Sequence, residues 1–246
     1  MIMVSKQNFY QRANIQLDLD ASLNKVQKDD FTIVIPVLNE EKGIGRVIEE
    51  VKREGYSNIL VVDGHSTDDT IHIVRKFDVR LIFQQGFGKT GAIKTAIENV
   101  RTPYFVVIDG DCTYDPRDIK KFFFHILKND EVIGVRAFGK ENIPFLNRFG
   151  NNIINSIFNL LFNTGLLDVC SGMYALRTNF ARLCNLKSTG FEVEVEIAAN
   201  VVRKGKIDQV LINYTKRKGK KKLCPWRDGL KIISTIIKLA ISNNLS

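Results

Sequence analysis

A chain of 246 residues that is 44% hydrophobic and 26% charged can bury a full core, which excludes a disordered or fibrous protein and favours one domain with short appendages. The formal charge of +9 lies wholly in Arg203 to Lys231, where eleven Lys or Arg stand against Asp208 and Asp228, a block suited to nucleic acid, anionic lipid or a phosphorylated substrate, or to a plain solvated face. Four scattered cysteines without a C-x-x-C pair argue against a zinc site or disulfide scaffold, and the absence of a signal pattern or a charge-free apolar run of spanning length predicts a cytoplasmic chain.

Residues 1–30 form a polar extension with no readable pattern. Phe31 to Val37 reads as a buried strand, and Leu38-Asn39-Glu40-Glu41 leads into a helix through Ile44, Val47, Ile48 and Val51. Ile59 to Asp63 is a second strand, after which Ser66-Thr67-Asp68-Asp69 supplies capping side chains for a helix through Ile71, Ile73 and Val74. A short strand at Val79 to Phe83 precedes Gly86-Phe87-Gly88-Lys89-Thr90, which opens a helix through Ala92, Ile93, Ala96 and Ile97. Free N–H groups at such a start favour an anion, so Lys89 is a candidate for a sugar-nucleotide phosphate, the plain alternative being a helix-opening turn. A Walker A loop is disfavoured, because Phe83 stands where its first glycine belongs.

Tyr104 to Ile108 is the fourth strand and closes on Asp109-Gly110-Asp111. Alternate strand residues share a face, so the two carboxylates can approach one Mg²⁺ or Mn²⁺, with Gly110 leaving room for a ligand. Asp and Gly also end strands in ordinary turns. Strands alternating with helices predict an α/β fold, a mostly parallel sheet flanked by helices, whose ligands sit beyond the carboxyl ends of the strands. Pro36–Glu40, Asp63–Ser66, Gly86–Lys89 and Asp109–Asp111 all lie at such ends and should converge on one crevice. His65, His72 and His125 lack ligand spacing and are expected at the surface or satisfied.

Between Arg148 and Asp168 no residue is charged, yet Asn147, Asn151, Asn155, Asn159 and Asn163 recur every fourth position opposite Phe149, Ile153, Ile157, Leu160 and Leu161. Five amides suit a spanning helix poorly, so the pattern predicts a helix at a membrane surface or packed on the domain. Ser171, in the polar turn that follows, is expected to bind a phosphate or to cap the turn. Glu192, Glu194 and Glu196 alternate and fit either an acidic strand face or the start of a helix running on through Ala198 and Val202. Over residues 229–246, Leu230, Ile233, Ile237 and Ile241 share one face and Lys231, Ser234 and Lys238 another, an amphipathic helix too short to span a bilayer.

Taken in order, Ile35-Pro36-Val37-Leu38-Asn39-Glu40-Glu41, Val62-Asp63-Gly64-His65-Ser66-Thr67-Asp68, Gly86-Phe87-Gly88-Lys89 and Asp109-Gly110-Asp111-Cys112-Thr113-Tyr114-Asp115-Pro116 resemble family 2 glycosyltransferases with the GT-A fold. Asp168-x-x-Ser171-Gly172-Met173 and Tyr214-x-x-Arg217-x-Gly219-x-x-Lys222-Leu223 resemble the dolichyl-phosphate mannose and glucose synthase branch. The resemblance implies a catalytic domain over residues 31–228. In it Pro36, Leu38, Glu40, Asp63, Lys89 and Gly110 would meet the donor nucleotide, and Asp109 and Asp111 would act through Mg²⁺ or Mn²⁺ on its diphosphate. Arg136, Ser171, Arg217 and Lys222 would meet an acceptor phosphate. Thr113 and Tyr174 depart from the pattern, since many relatives carry Gln and Arg there.

The implied reaction moves a hexose from a UDP- or GDP-linked donor to dolichyl or another polyprenyl phosphate with inversion. A phosphate with a second pKa near 6 is already anionic and requires no general base. A related transferase would use a sugar hydroxyl, with Glu192 or Asp168 as base. On the first reading the basic block clamps the acceptor and is drawn to an anionic leaflet at about 1 kcal/mol per Lys or Arg. That places the protein peripherally on the cytoplasmic face of a membrane, alone or with a membrane-spanning partner protein. A nucleic-acid partner is disfavoured, as only Tyr214 and Trp226 offer stacking groups in the basic segment.

Overall fold

The computed structural model describes residues 26–219 and 224–242. The expected alternation is present as β1 (Phe31–Val37), α1 (Ile44–Arg53), β2 (Ile59–Asp63), α2 (Thr70–Val74), β3 (Arg80–Phe83), α3 (Gly88–Asn99) and β4 (Tyr104–Val107). After it come α4 (Lys120–Ile126), β5 (Glu131–Phe138), α5 (Phe145–Phe162), β6 (Tyr174–Arg177), α6 (Thr178–Ala181), α7 (Val193–Lys204), β7 (Ile207–Asn213) and α8 (Pro225–Ser242). The alternating glutamates are therefore the start of a helix and not a strand. The C-terminal helix, expected from residue 229, begins at Pro225.

Seven strands form one sheet in the order β3-β2-β1-β4-β6-β5-β7. β1 pairs parallel with β2 and β4, β5 pairs parallel with β7, and β6 runs antiparallel to both β4 and β5. Successive strand side chains point to opposite faces, and the core divides accordingly. Ile33 and Ile35 pack with Val47 and Ile48 of α1 and Phe122 of α4, whereas Val34, Leu60 and Val62 pack with Ile93 of α3 and Val193 and Ile197 of α7. A third cluster joins Ile154 and Phe158 of α5, Ala198 of α7, and Ile232 and Ile236 of α8. Because β6 is reversed, its first residue, Tyr174, lies at the same rim as the carboxyl ends of its neighbours. The segments after β1, β2, β3, β4, β5 and β7, and the one before β6, therefore all open on one edge of the sheet.

The helices α5 and α8 pack on each other and do not bury their most apolar faces. Phe149, Ile153, Leu160 and Leu161 of α5 are exposed, as are Trp226, Leu230, Ile237 and Ile241 of α8. The amides of α5 turn inward instead. Asn159 accepts hydrogen bonds from Leu166 N (2.9 Å) and Thr164 Oγ1 (2.7 Å) and donates to Leu166 O (2.8 Å). Asn155 donates to the same carbonyl at 2.6 Å and accepts from Val169 N at 3.0 Å. The polar stripe thus holds the segment that leads into the turn before β6. Among the described residues no helix is long and apolar enough to cross a membrane.

Candidate active site

The loops at the rim meet as expected. Pro36, Leu38, Glu40, Gln84, Phe87 and Gly110 help line a cavity of about 690 Å³. A second cavity of about 430 Å³ is walled by Tyr114, Arg136, Asn147, Asn151, Lys216 and Ile232, among others. Lys89, Asp109, Asp111, Phe191 and Arg217 line both, so the paired carboxylates stand in the wall between two compartments.

Asp109 and Asp111 come together through a turn. β4 ends at Val107, so the shared face of a strand is not what aligns them, and Cys112 closes the turn with a φ of 64°. Each carboxylate carries a cation of the chain. Lys89 Nζ lies 2.9 Å from Asp109 Oδ1 and 2.7 Å from Glu194 Oε1. Arg217 Nη1 lies 2.7 Å from Asp111 Oδ2, and its Nη2 donates to Glu40 Oε1. Asp111 Oδ1 accepts from Thr113 N (3.0 Å) and Thr113 Oγ1 (2.5 Å), so Thr113 orients the carboxylate. Burial, and then the neighbouring Asp109, raise the Asp111 carboxyl above its ordinary value against the pull of Arg217. Burial opposes the charged form of Lys89, but Asp109 and Glu194 outweigh it and hold the ammonium well above its ordinary range.

This donor set fits a hard divalent ion. Mg²⁺ is commonly held by one or two carboxylates together with substrate phosphates and water, without a closed protein cage. Among the described residues no cluster of three His, Cys, Asp or Glu that could hold a metal occurs.

Several expectations need correcting. Gly110 is not a space for ligand, because a Cβ there would lie 2.8 Å from Val37 Cγ1; the glycine is required by packing against β1. Gly172 does need to be glycine for the site, because a Cβ there would lie 2.4 Å from Asp109 Oδ2. Ser171 is buried, and its hydroxyl is shared with the backbone of Met173 at 3.4 Å, so it caps its own turn. Arg136 is also buried, held by Asp168 through Nε at 2.7 Å and Nη2 at 2.6 Å, although it lines the outer cavity. Asp63 is fully buried, accepts from Ser66 N at 2.8 Å, and does not line the inner cavity. His65 lines the inner cavity and stacks on Phe83 at 5.8 Å, where the sequence offered no role for it. His72 is exposed and His125 Nδ1 is 2.8 Å from Asp208 Oδ2, both as expected. Lys222 lies outside the described residues.

Sequence reasoning missed Glu194 as the partner of Lys89 and missed Arg227, Asp228 and Lys231, which α8 brings to the inner cavity. Helical geometry gives the three glutamates different surroundings. Glu192 lines the inner cavity, Glu194 pairs with Lys89, and Glu196 accepts from the backbone N–H groups of Lys187 (2.7 Å) and Ser188 (3.0 Å).

Comparison with known proteins agrees with this geometry. Glycosyltransferase AglJ of Haloferax volcanii is 33% identical over 223 residues, covering 88% of this chain and 74% of the relative. A dolichyl-phosphate hexose transferase of the same organism is 32% identical over 222 residues, covering 88% and 96%. Glucosyl-3-phosphoglycerate synthase from Mycobacterium tuberculosis, solved with Mn²⁺, UDP and glucosyl-3-phosphoglycerate, superposes with a TM-score of 0.68 at 19% identity, covering 85% of this chain and 79% of that one. That likeness places the sheet and its helices among GT-A folds. The sequence model described as Glycosyl transferase family 2 matches residues 32–182, and the chain belongs to that family.

Proposed function

We propose that this protein transfers a hexose from a nucleotide sugar, UDP- or GDP-linked, to the phosphate of dolichol or another polyprenol, with inversion at the anomeric carbon. The observation that carries this reading is the shared wall. A cavity large enough for a nucleotide sugar meets a second one, bordered by α5 and α8 and lined by Arg136 and Lys216, at Lys89, Asp109, Asp111 and Arg217. The lipid-phosphate chemistry in the name of one relative supports the acceptor class, and the Mn²⁺ and UDP of the structural neighbour support the donor class.

In the inner cavity Pro36 and Leu38 pack against the nucleoside beside Glu40 and His65. Asp63 stands behind these residues, where it accepts from Ser66 N and holds the loop that carries Gly64 and His65 to the cavity. Asp109 and Asp111 would hold Mg²⁺ or Mn²⁺, which neutralises the diphosphate as a Lewis acid and makes it a leaving group. Lys89 adds a fixed positive charge on the same side. Arg217 and Lys216 draw the acceptor phosphate into the outer cavity, Arg136 contributes its charge there, and Lys222 extends the same basic segment. The phosphate is anionic at neutral pH, so attack opposite the diphosphate needs no base and inverts the centre.

The exposed apolar faces of α5 and α8 and the basic segment between β7 and α8 support peripheral attachment to a membrane on its cytoplasmic side, with room for a membrane-spanning partner. The test is transfer of label from a panel of UDP- and GDP-sugars to dolichyl phosphate, with Mn²⁺ or Mg²⁺, read in the organic phase. Transfer from one donor that Asp111→Asn abolishes is the expected result; donor hydrolysis without lipid product would sink the reading. A second reading, a sugar-hydroxyl acceptor, draws on Glu192, which stands in the inner cavity as a candidate base. Asp168 does not serve it, since Arg136 holds both of its oxygens. Glu192→Gln abolishing transfer while leaving donor binding intact would favour that second reading.

A further inference from the structure

Resting on the metal and acceptor sites just described, we propose that Arg217 occupies the divalent-ion position when no donor is bound. Arrival of the metal with its nucleotide then releases the guanidinium to the acceptor phosphate, so that donor binds before acceptor. The two arms of Arg217 lie on Asp111 Oδ2 at 2.7 Å and on Glu40 Oε1. Asp111 Oδ1 is already engaged twice by Thr113, which leaves Oδ2 as the oxygen for a metal. Arg217 and a divalent ion therefore compete for one atom. The ion competes weakly alone and well when it brings diphosphate oxygens to complete its coordination, because two carboxylates alone leave most of its ligand positions to water.

The displaced side chain has a destination. Arg217 lines the outer as well as the inner cavity, and its Nε is buried with no hydrogen-bond partner among the described residues. Its backbone does not need to move. Thr215 N donates to Thr113 O at 2.8 Å, Thr215 Oγ1 donates to Cys112 O at 2.6 Å, and Lys218 N donates to Asp111 O at 2.9 Å. The loop is fastened to the turn that carries Asp111, and side-chain torsions alone carry the guanidinium across the shared wall. Until the donor arrives, the guanidinium is held by Asp111 and Glu40 and is not available to a phosphate in the outer cavity. Lys89 differs, because Glu194 keeps it in place whether or not Asp109 is taken by a metal.

The experiment is Mn²⁺ binding without nucleotide, followed by the electron paramagnetic resonance signal of the free ion, for the wild-type protein, Arg217→Gln, Arg217→Lys and Asp111→Asn. Arg217→Gln should bind Mn²⁺ at least about tenfold more tightly than wild type, equivalent to about 1.4 kcal/mol. Arg217→Lys, which keeps the charge and loses the two-armed contact, should fall between them, and Asp111→Asn should lose binding. In parallel, calorimetry with a short water-soluble prenyl phosphate should show wild-type binding at least about tenfold tighter once Mn²⁺ and UDP or GDP are present. Arg217→Gln should lose that dependence. Unchanged Mn²⁺ affinity in both folded Arg217 variants, with binding lost in Asp111→Asn, would overturn the competition and leave the metal site standing. Wild-type affinity in Asp111→Asn would overturn the metal site itself and this inference with it. Arg217→Lys carries the comparison if thermal melting shows that Arg217→Gln is unfolded.

Discussion

Arg136 and Asp168 are about nine-tenths buried, with side chains 9% and 12% exposed, and each satisfies the other through two short hydrogen bonds. Removing one partner of such a pair strands an uncompensated charge, so Asp168→Ala should cost at least about 3 kcal/mol. For a chain of this size that is roughly 6–12 °C in Tm, measurable by calorimetry; a change within a degree would show the pair to be solvated. Thiols give a second residue-scale test with a definite sign. Burial pushes Cys170 and Cys184 up to about 12, while Cys224 is exposed. The thiolate is the nucleophile, so at pH 8 iodoacetamide should modify Cys224 and spare Cys170 and Cys184, whose labelling should climb about tenfold per pH unit toward pH 10. Mass spectrometry after timed quenching reads this directly, and equal labelling at pH 8 would contradict the burial. The candidate carboxylates were legible in the sequence because Asp109 and Asp111 close an apolar strand. Lys89 and Arg217 were legible as cations but their pairings were not, since Arg217 reaches Asp111 from the loop after β7 and Glu194 reaches Lys89 from α7.

At the scale of elements, the first four strands and three helices could be read because the runs of β1, β2 and β4 close on Asn or Asp and α1 repeats its buried Ile44, Val47, Ile48 and Val51 at 3.6 spacing. β5, β6 and β7, which complete the sheet, were not legible, because Glu131, Arg136, Arg177 and Asp208 interrupt their apolar runs, and the reversal of β6 is a tertiary fact. The periodicity of α5 was visible, but which of its faces is buried was not. Asparagines at every fourth position look like a solvated stripe, yet Asn155 and Asn159 hold the chain between Thr164 and Val169. Asn159→Ala should leave the N–H of Leu166 without that bond and cost about 1–3 kcal/mol. Chemical denaturation would detect the loss as a lower midpoint at unchanged slope. The opposite face predicts the opposite behaviour. Phe149 and Leu160 are 59% and 81% exposed, so Phe149→Asp with Leu160→Asp should leave Tm nearly unchanged. Burying such a side chain in a bilayer is worth about 1.5–3 kcal/mol, so the double variant should bind vesicles at least about tenfold less well in a sedimentation assay. Retained vesicle binding would show that α5 does not meet the lipid.

In the whole molecule the outer cavity opens between the first turns of α5 and α8, where Leu146, Asn147 and Gly229 join Lys216 and Arg217. On the proposed reading a phosphate in the outer cavity stands beside Lys216 and Arg217, whereas a nucleotide sugar in the inner cavity lies against the ends of β1, β2 and β3 with Arg227 and Lys231 of α8 at its border. The two substrates should therefore respond differently to ionic strength. The attraction of Lys and Arg to an anionic surface is screened over about 10 Å at 0.1 M salt and about 3 Å at 1 M. With about 1 kcal/mol for each cation near the surface, loss of two or three of them weakens binding by more than tenfold. Raising salt across that range, or replacing anionic by zwitterionic vesicles, should reduce vesicle affinity and raise the apparent KM for the lipid acceptor by at least about tenfold. Residual binding should persist through the apolar faces of α5 and α8. Donor affinity, measured by calorimetry with metal and nucleotide, should fall much less, because Lys89 is only 12% exposed and is held by Asp109 and Glu194 out of reach of bulk salt. A donor affinity that fell in parallel with vesicle binding would mean that the exposed Arg227 and Lys231 at the border of the inner cavity, and not the buried Lys89, hold the donor phosphates, and the expected difference between the two substrates would then be wrong.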